Sequence, residues 1–460
     1  MPMTKSEIDM TDGALLPSML RFAIPLMAAS VLQLLFNASD IAVLGNFGST
    51  HSLAAVGSTV ALVSLLTNFF IGMSIGTNVL ASRCLGAQNY KYLRRVVHTS
   101  LALGGIAGVF SAVVGVVFSA RILVLMQTPE SVLPLSVLYT KIYFFGMIPT
   151  AIYNFGAAIL YANGETKKPL MFLIAAGITN VILNLVFVMG FKMDVAGVAV
   201  ATVISQTLAM TLVLTSLARR KDSSKIFFNQ IRLNPEIVLN ILKLGIPAGF
   251  QSVVFSLSNM VIQSAVNSFG PVYMAGTAAS QNVDCFIWIS MNAFQPTATT
   301  FISRNIGAKR YARINKITLC ALGCGTVIGI VLGTVAVLFG TALLGIYTSD
   351  MAAIEAGLVR LRMVGVPYVL CGWMDIMTGA LRGLGSSFVP AVIALAGACG
   401  LRLIWIATLF QIPKYHTFTH LFLSYPVSWA VTTVVLAIAY GVIRRRYPKT
   451  DVSANNAVPA

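Results

Sequence analysis

Acidic side chains are scarce in this sequence: Asp and Glu number 14 in 460 residues, and charged residues of both signs make up only 10% of the chain. A soluble domain carries about a quarter charged residues, so a mainly water-facing surface is excluded. Cysteine occurs six times, as Cys84, Cys285, Cys320, Cys324, Cys371 and Cys399. Almost all lie within apolar stretches, where a free thiol behaves as a small apolar residue, so neither a disulfide framework nor a metal centre is indicated. His416 and His420 have the spacing of a zinc pair but flank a connection with no third ligand. No phosphate-cradling G-x-x-x-x-G-K-[ST] run occurs, so ATP is not the expected fuel, and no organic cofactor is implied. The four histidines lie near the ends of apolar stretches rather than in a Ser/His or His/Asp group at one depth, which sets aside a membrane-embedded enzyme.

What the chain has instead is apolar length. Hydrophobic residues make up 57% of it and the mean hydropathy is +0.84. Twelve stretches reach the roughly 20 residues needed to cross a bilayer as a helix. Their expected bounds are 18–44, 53–78, 95–119, 134–161, 169–190 and 194–218, then 241–268, 273–301, 314–347, 356–381, 387–411 and 418–443. Segments such as Ile106–Ser119 are apolar on all sides, which excludes the alternating pattern of a spanning β-strand. The expected fold is an all-α polytopic membrane protein. The first stretch is longer than a signal-peptide core and lacks a small-residue cleavage site, so it is expected to be retained.

The net charge of +17 would fit nucleic acid, but its distribution fits a membrane. Basic residues collect after every second stretch: Arg83, Lys91, Arg94 and Arg95; Lys167 and Lys168; Arg219, Arg220, Lys221, Lys225, Arg232 and Lys243; Arg304, Lys309, Arg310, Arg313 and Lys316; and Arg444, Arg445, Arg446 and Lys449. Cytoplasmic loops carry such an excess, so both termini are expected in the cytoplasm and the protein in the cell's inner membrane.

The sequence also repeats itself at an offset near 221. "LRFAIP", ending at Pro25, answers "LKLGIP", ending at Pro247; "SRCLGAQNYKYLRR" from Ser82 answers "SRNIGAKRYARINK" from Ser303; "AILYANGETKKP" answers "GALRGLGSSFVP". Three echoes in one order imply a duplicated half. Six helices in each half give both the same orientation, hence two lobes related by a pseudo-two-fold axis normal to the membrane. The expected division is an N-terminal lobe 1–218, a cytoplasmic linker 219–240, a C-terminal lobe 241–447 and a flexible cytoplasmic tail 448–460. The linker is read as a solvated connector, with "SKIFFNQI" as its one amphipathic stretch. Substrate is expected between the lobes.

The first half resembles the multidrug and toxic compound extrusion (MATE) family of bacterial efflux transporters. The resemblance rests on a proline early in helix 1, an aspartate fifteen residues later in "NASDIAVLG", and "ASRCLGAQNY" after helix 2. "NVILNLVFVMG", "VAGVAVATVISQ" and the run from Met374 to Ile406 extend it over nearly the whole chain. It implies a secondary active exporter of amphipathic, often cationic compounds, working by antiport with H+ or Na+ and alternating access between two lobes, as a monomer in the lipid bilayer.

An ionisable side chain within the membrane costs about 2.5 to 3.5 kcal/mol, so each is a functional candidate. Asp40 is the leading one, and it matches the family's helix-1 aspartate. It stands roughly 22 Å along the helix beyond Pro25, and that proline, like Pro247 in the second half, offers a point of bending. Asn180 and Asn184 share one face of helix 5, and Thr202 and Gln206 one face of helix 6, so these oxygens are expected to converge on Asp40. Some family members have an aspartate where this chain has Asn184. One carboxylate suffices for a proton whereas sodium prefers several oxygens, so the sequence favours H+ and leaves Na+ open. In the second half, Asp284 and Asp375 are the acids and Arg402 the base taken as intramembrane, with one of the acids expected to neutralise the arginine. Polar and adaptable residues expected on cavity walls are Gln33, Asn37, Tyr139, Asn154, Gln251, Asn259 and Gln263, with Met147, Met260 and Met291. The competing transporter reading is a flippase for lipid-linked saccharides, disfavoured by the single deep arginine.

Overall fold

A computed structural model describes residues 8–47 and 49–451. The first seven residues, including Lys5, and the tail from residue 452 onward lie outside the described residues. Helices follow one another with short connections, and no strand occurs among the described residues. They are α1 (Leu15–Phe47), α2 (Thr50–Gly86), α3 (Tyr90–Leu125), α4 (Leu133–Phe145), α5 (Met147–Ala162), α6 (Lys167–Leu185), α7 (Asp194–Ala218), α8 (Pro235–Asn267), α9 (Pro271–Asn292), α10 (Phe294–Gly307), α11 (Arg313–Leu338), α12 (Gly340–Gly345), α13 (Met351–Val364), α14 (Tyr368–Gly383), α15 (Phe388–Ala394), α16 (Leu401–Ala407) and α17 (Phe418–Arg444). π-helical turns extend α6 over Val186–Gly190 and join α15 to α16 over Leu395–Gly400.

Among the described residues, nine helical stretches are long and apolar enough to cross a membrane, or eleven when two bent pairs each count as one span. The α4/α5 pair bends by 41° beside Gly146 and Pro149, and α13/α14 by 50° around Gly365 and Pro367. Missing backbone donors and weak helix formers account for both bends. The stretch expected at 273–301 falls outside this set: it is α9 and α10, separated at Ala293, and Gln281, Asn282, Asp284, Asn292 and Gln295 lower its hydropathy. Large apolar side chains such as Phe110, Leu125 and Ile346 are 69%, 83% and 75% exposed, as lipid-facing residues are in a protein with no water to hide from.

Packing divides the described chain into two compact units: Ile24–Gly249, and Asp9–Ala23 together with the residues from Phe250 onward. The chain therefore passes from one unit to the other inside α1, beside Pro25, and inside α8, beside Pro247. In the first unit, α8 lies against α2 at glycines spaced by four. A Cβ on Gly72 would stand 2.5 Å from the Gly249 Cα, and one on Gly76 2.3 Å from the Ile241 carbonyl oxygen. Helices approach so closely only where side chains are absent.

The internal repeat also appears in the backbone. Gln88 and Lys309 have φ of 55° and 58°, and Gly164 and Gly385 of 83° and 90°, each pair at the 221-residue offset. Equivalent turns thus end equivalent helices in the two halves. The linker, by contrast, is not simply solvated: Arg220, Ser224 and Ile226 are buried in the first unit. Arg220 donates to Glu165 at 2.8 Å and pairs with Asp222, and the Ser224 hydroxyl donates to Asn163 at 3.1 Å.

Candidate functional site

Asp40 lies two turns before the end of α1 and is half-buried. Its Oδ1 accepts a hydrogen bond of 2.5 Å from the Asn184 amide on α6. Asn184 is fully buried, and its Nδ2 also approaches Asn180 Oδ1 at 3.3 Å; Asn180 in turn donates to Thr202 Oγ1 on α7 at 3.4 Å. Thr202 returns to its own helix, donating to the Val198 carbonyl at 3.0 Å. Helical spacing explains the ladder, because residues four apart on α6 share the face turned to α7. The Asn184 Oδ1 atom is buried and has no hydrogen-bond partner. A π-helical turn begins two residues after Asn184, and such turns often accompany functional sites.

Four of the five residues expected to converge are therefore joined in one chain of hydrogen bonds. Gln206, a turn beyond Thr202, is half-buried and stands outside that chain. Tyr139 is 5% exposed and packs with Val43, Leu44 and Val198, one turn from Asp40 on α1 and beside Thr202 on α7. Among the other wall candidates, Asn154 satisfies itself on the Thr150 carbonyl at 2.9 Å and Gln263 on Asn267 at 3.0 Å, while Gln33, Asn37 and Asn259 are exposed. Gln251 is buried and accepts from Arg382 at 2.9 Å. Met260 is exposed, but Met147 and Met291 are fully buried and pack inside their own units.

In the second unit the charges pair differently from the sequence expectation. Asp284 on α9 is bound by Arg360 on α13, not by Arg402, and Arg360 also donates to Ser280 at 2.7 Å. Arg402 has neither expected acid as its partner. Its Nε donates to Ser428 at 2.9 Å, and its guanidinium lies 4.0 Å from the Tyr425 ring centre and 5.4 Å from that of Trp429. An aromatic face thus takes the place of a carboxylate. Asp375 accepts from Trp288 Nε1 and Asn292 Nδ2, both at 3.1 Å. Arg360 and Arg382 are the bases that sequence reasoning passed over. Arg360 lies within the expected bounds 356–381, and Arg382 lies one residue beyond them although it is the penultimate residue of α14.

Two equal stretches of the chain, residues 25–186 and 247–408, match the MatE family model. The chain belongs to the MatE family. These are transporters rather than enzymes, and the model matches each half of this chain once. Each match opens on one of the two prolines, Pro25 and Pro247. Among curated relatives, this MatE chain is 27% identical to the probable multidrug resistance protein YoeA of Bacillus subtilis (strain 168), over 95% of both chains. It is 30% identical to the probable multidrug resistance protein YpnP of the same strain, over 86% of this chain and 88% of the relative. Its fold superposes with TM-score 0.88 on an outward-facing multidrug resistance MATE family transporter of the MOP superfamily, at 18% identity over 97% and 100% of the two chains. It superposes with TM-score 0.86 on the Vibrio cholerae MATE transporter VcmN in its bent form, at 21% identity over 94% and 97%.

Proposed function

We propose that this MatE chain exports small amphipathic, often cationic compounds across the bacterial cell membrane in exchange for protons, with Asp40 as the coupling carboxylate. One observation carries the reading. Asp40 is a deep acid in the first unit whose hydrogen-bond partner is a neutral amide, whereas Glu165 is held by Arg220 and Asp284 by Arg360. An acid without a bonded cation can change charge without leaving an arginine unpaired, which the paired acids cannot. Proton and cationic substrate then exclude each other electrostatically, and that mutual exclusion is the coupling free energy an antiporter needs. Each elementary charge moved down about 100 mV contributes roughly 2.3 kcal/mol.

Protons are favoured over sodium because Asn184 stands where a second carboxylate would be needed to hold a metal ion tightly. The unpartnered Asn184 oxygen keeps sodium as the alternative. Asp375, also held by neutral donors, supports a second reading in which the second unit contributes its own charge exchange. The concentration of basic residues on the linker side supports placing that face, and both termini, in the cytoplasm. A flippase for lipid-linked saccharides is less well supported, since the buried arginines Arg360, Arg382 and Arg402 are each engaged by groups of their own unit. The test is transport by the native chain in proteoliposomes, with proton and sodium gradients imposed separately and a cationic dye compared with a lipid-linked saccharide. Dye movement driven by the proton gradient is expected. Movement of the saccharide alone would overturn the proposal.

A further inference from the structure

The linker is fastened to the first unit at a histidine. His98, on the basic end of α3, is 2% exposed, and both of its ring nitrogens are engaged. Its Nδ1 lies 2.7 Å from the Arg94 carbonyl oxygen, an acceptor, and its Nε2 accepts the backbone N–H of Phe227 at 3.0 Å. Those two bonds require the neutral ring with its proton on Nδ1. The Phe227 ring lies nearly parallel to the imidazole, at 14° and 6.4 Å, and under two cations: the Arg94 guanidinium at 5.3 Å and the Lys225 ammonium at 5.1 Å. One residue on, Thr99 Oγ1 donates to the Arg232 carbonyl at 3.1 Å. The linker is thus held at Phe227 and again at Arg232, three residues before α8 begins at Pro235.

We propose that His98 is an acid-sensitive catch: neutral, it holds the linker on the first unit, and protonated, it releases it. A second ring proton would place two N–H donors against each other and remove the acceptor that Phe227 needs. It would also add a third cation around one aromatic ring. Charged groups on the surrounding elements include Lys91 and Arg95 on α3, Arg83 at the end of α2, Lys221, Asp222 and Arg232 on the linker, Glu165 after α5 and Glu236 in the first turn of α8. Glu165 is already bound by Arg220 and Lys168 and Asp222 by Arg220, so neither offsets the new charge, and Glu236 lies near Tyr92 at the start of α3. Release slackens the lead into the first half of α8, the half that packs on α2 at Gly72 and Gly76. The device therefore responds to a second proton on the imidazole, delivered from the linker face. That this face is the cytoplasm rests on the proposed orientation; the catch itself does not.

The test uses the full-length chain in lipid nanodiscs, where both faces meet the same pH. Asn229, exposed two residues beyond Phe227, is replaced (Asn229→Cys) in a background without the native cysteines and carries a spin label. Between about pH 8 and about pH 5 the immobilised part of the EPR spectrum is expected to fall about two-fold or more, reversibly. His98→Gln, which keeps an uncharged acceptor, is expected to remain immobilised throughout. Phe227→Ala, which keeps the N–H, is expected to retain the response. A native linker unmoved by pH, or a response that survives in His98→Gln, would overturn the proposal. Nitrogen NMR of the native protein gives a check that needs no folded variant at His98: a ring protonated on Nε2 at neutral pH would contradict it. None of these readouts depends on transport or on Asp40, so failure here leaves the proposed function standing.

Discussion

Replacing Gly72 by alanine puts a methyl group where the structure has the backbone of another helix. The new Cβ would lie 2.5 Å from both N and Cα of Gly249 and 2.8 Å from the Ala248 carbonyl carbon. Carbon atoms rest at about 3.5 to 4.0 Å, so α2 and the first half of α8 must separate by about 1 Å. Backbone cannot rotate aside as a side chain can, and overpacking of this kind costs about 1 to 3 kcal/mol. Gly57, on the same helix α2, is the internal control, because a Cβ there meets nothing within 4 Å. Gly57→Ala exchanges a poor helix former for the best one, worth up to about 1 kcal/mol in the opposite direction. Thermal unfolding of the two purified variants should move Tm apart, with Gly72→Ala lower by about 2 to 4 °C per kcal/mol for a unit of this size. Equal Tm values for Gly72→Ala and Gly57→Ala would refute the close helix approach.

Two further outcomes follow from the buried polar groups. Asp284→Asn leaves Arg360 buried without its counter-charge and is expected to destabilise the protein by about 3 to 5 kcal/mol, whereas Asp284→Leu combined with Arg360→Met should recover much of that loss; Tm in one detergent compares them, and an unaffected single variant would contradict the pairing. Asn184→Leu removes the amide that donates to Asp40, a bond to a charged group worth about 1.5 to 3 kcal/mol, so proton-driven dye transport should weaken while Asn184→Asp keeps an oxygen at the site and shifts the preference towards sodium. Transport rates under each gradient check both.

Fold class and duplication were legible because they are written in composition and in long-range self-similarity. Apolar length marks spanning helices regardless of how they pack, and an echo such as that from Ser82 to Ser303 survives wherever a turn must have the same shape. The Asp40 ladder was legible for a related reason: i, i+4 spacing places Asn180 and Asn184 on one face before any partner helix is known. What spacing cannot supply is the partner across the gap. Asp284, Asp375 and Arg402 were grouped because they are charged and deep, yet Arg360 reaches Asp284 first and the aromatic rings of α17 receive Arg402. Nor does a polar composition reveal docking: the linker looks solvated by its charges, but Ser224 and Ile226 are buried by contacts with residues far away in sequence.

The central claim is that charge exchange at Asp40 drives export. Proton uptake accompanying export of a cationic dye, followed with a pH indicator inside proteoliposomes, tests it most directly when the native chain is compared with Asp40→Asn. The account predicts that the native chain acidifies the interior as dye leaves, and that Asp40→Asn binds dye but neither acidifies the interior nor transports against a gradient. Undiminished proton-coupled export by Asp40→Asn would contradict it.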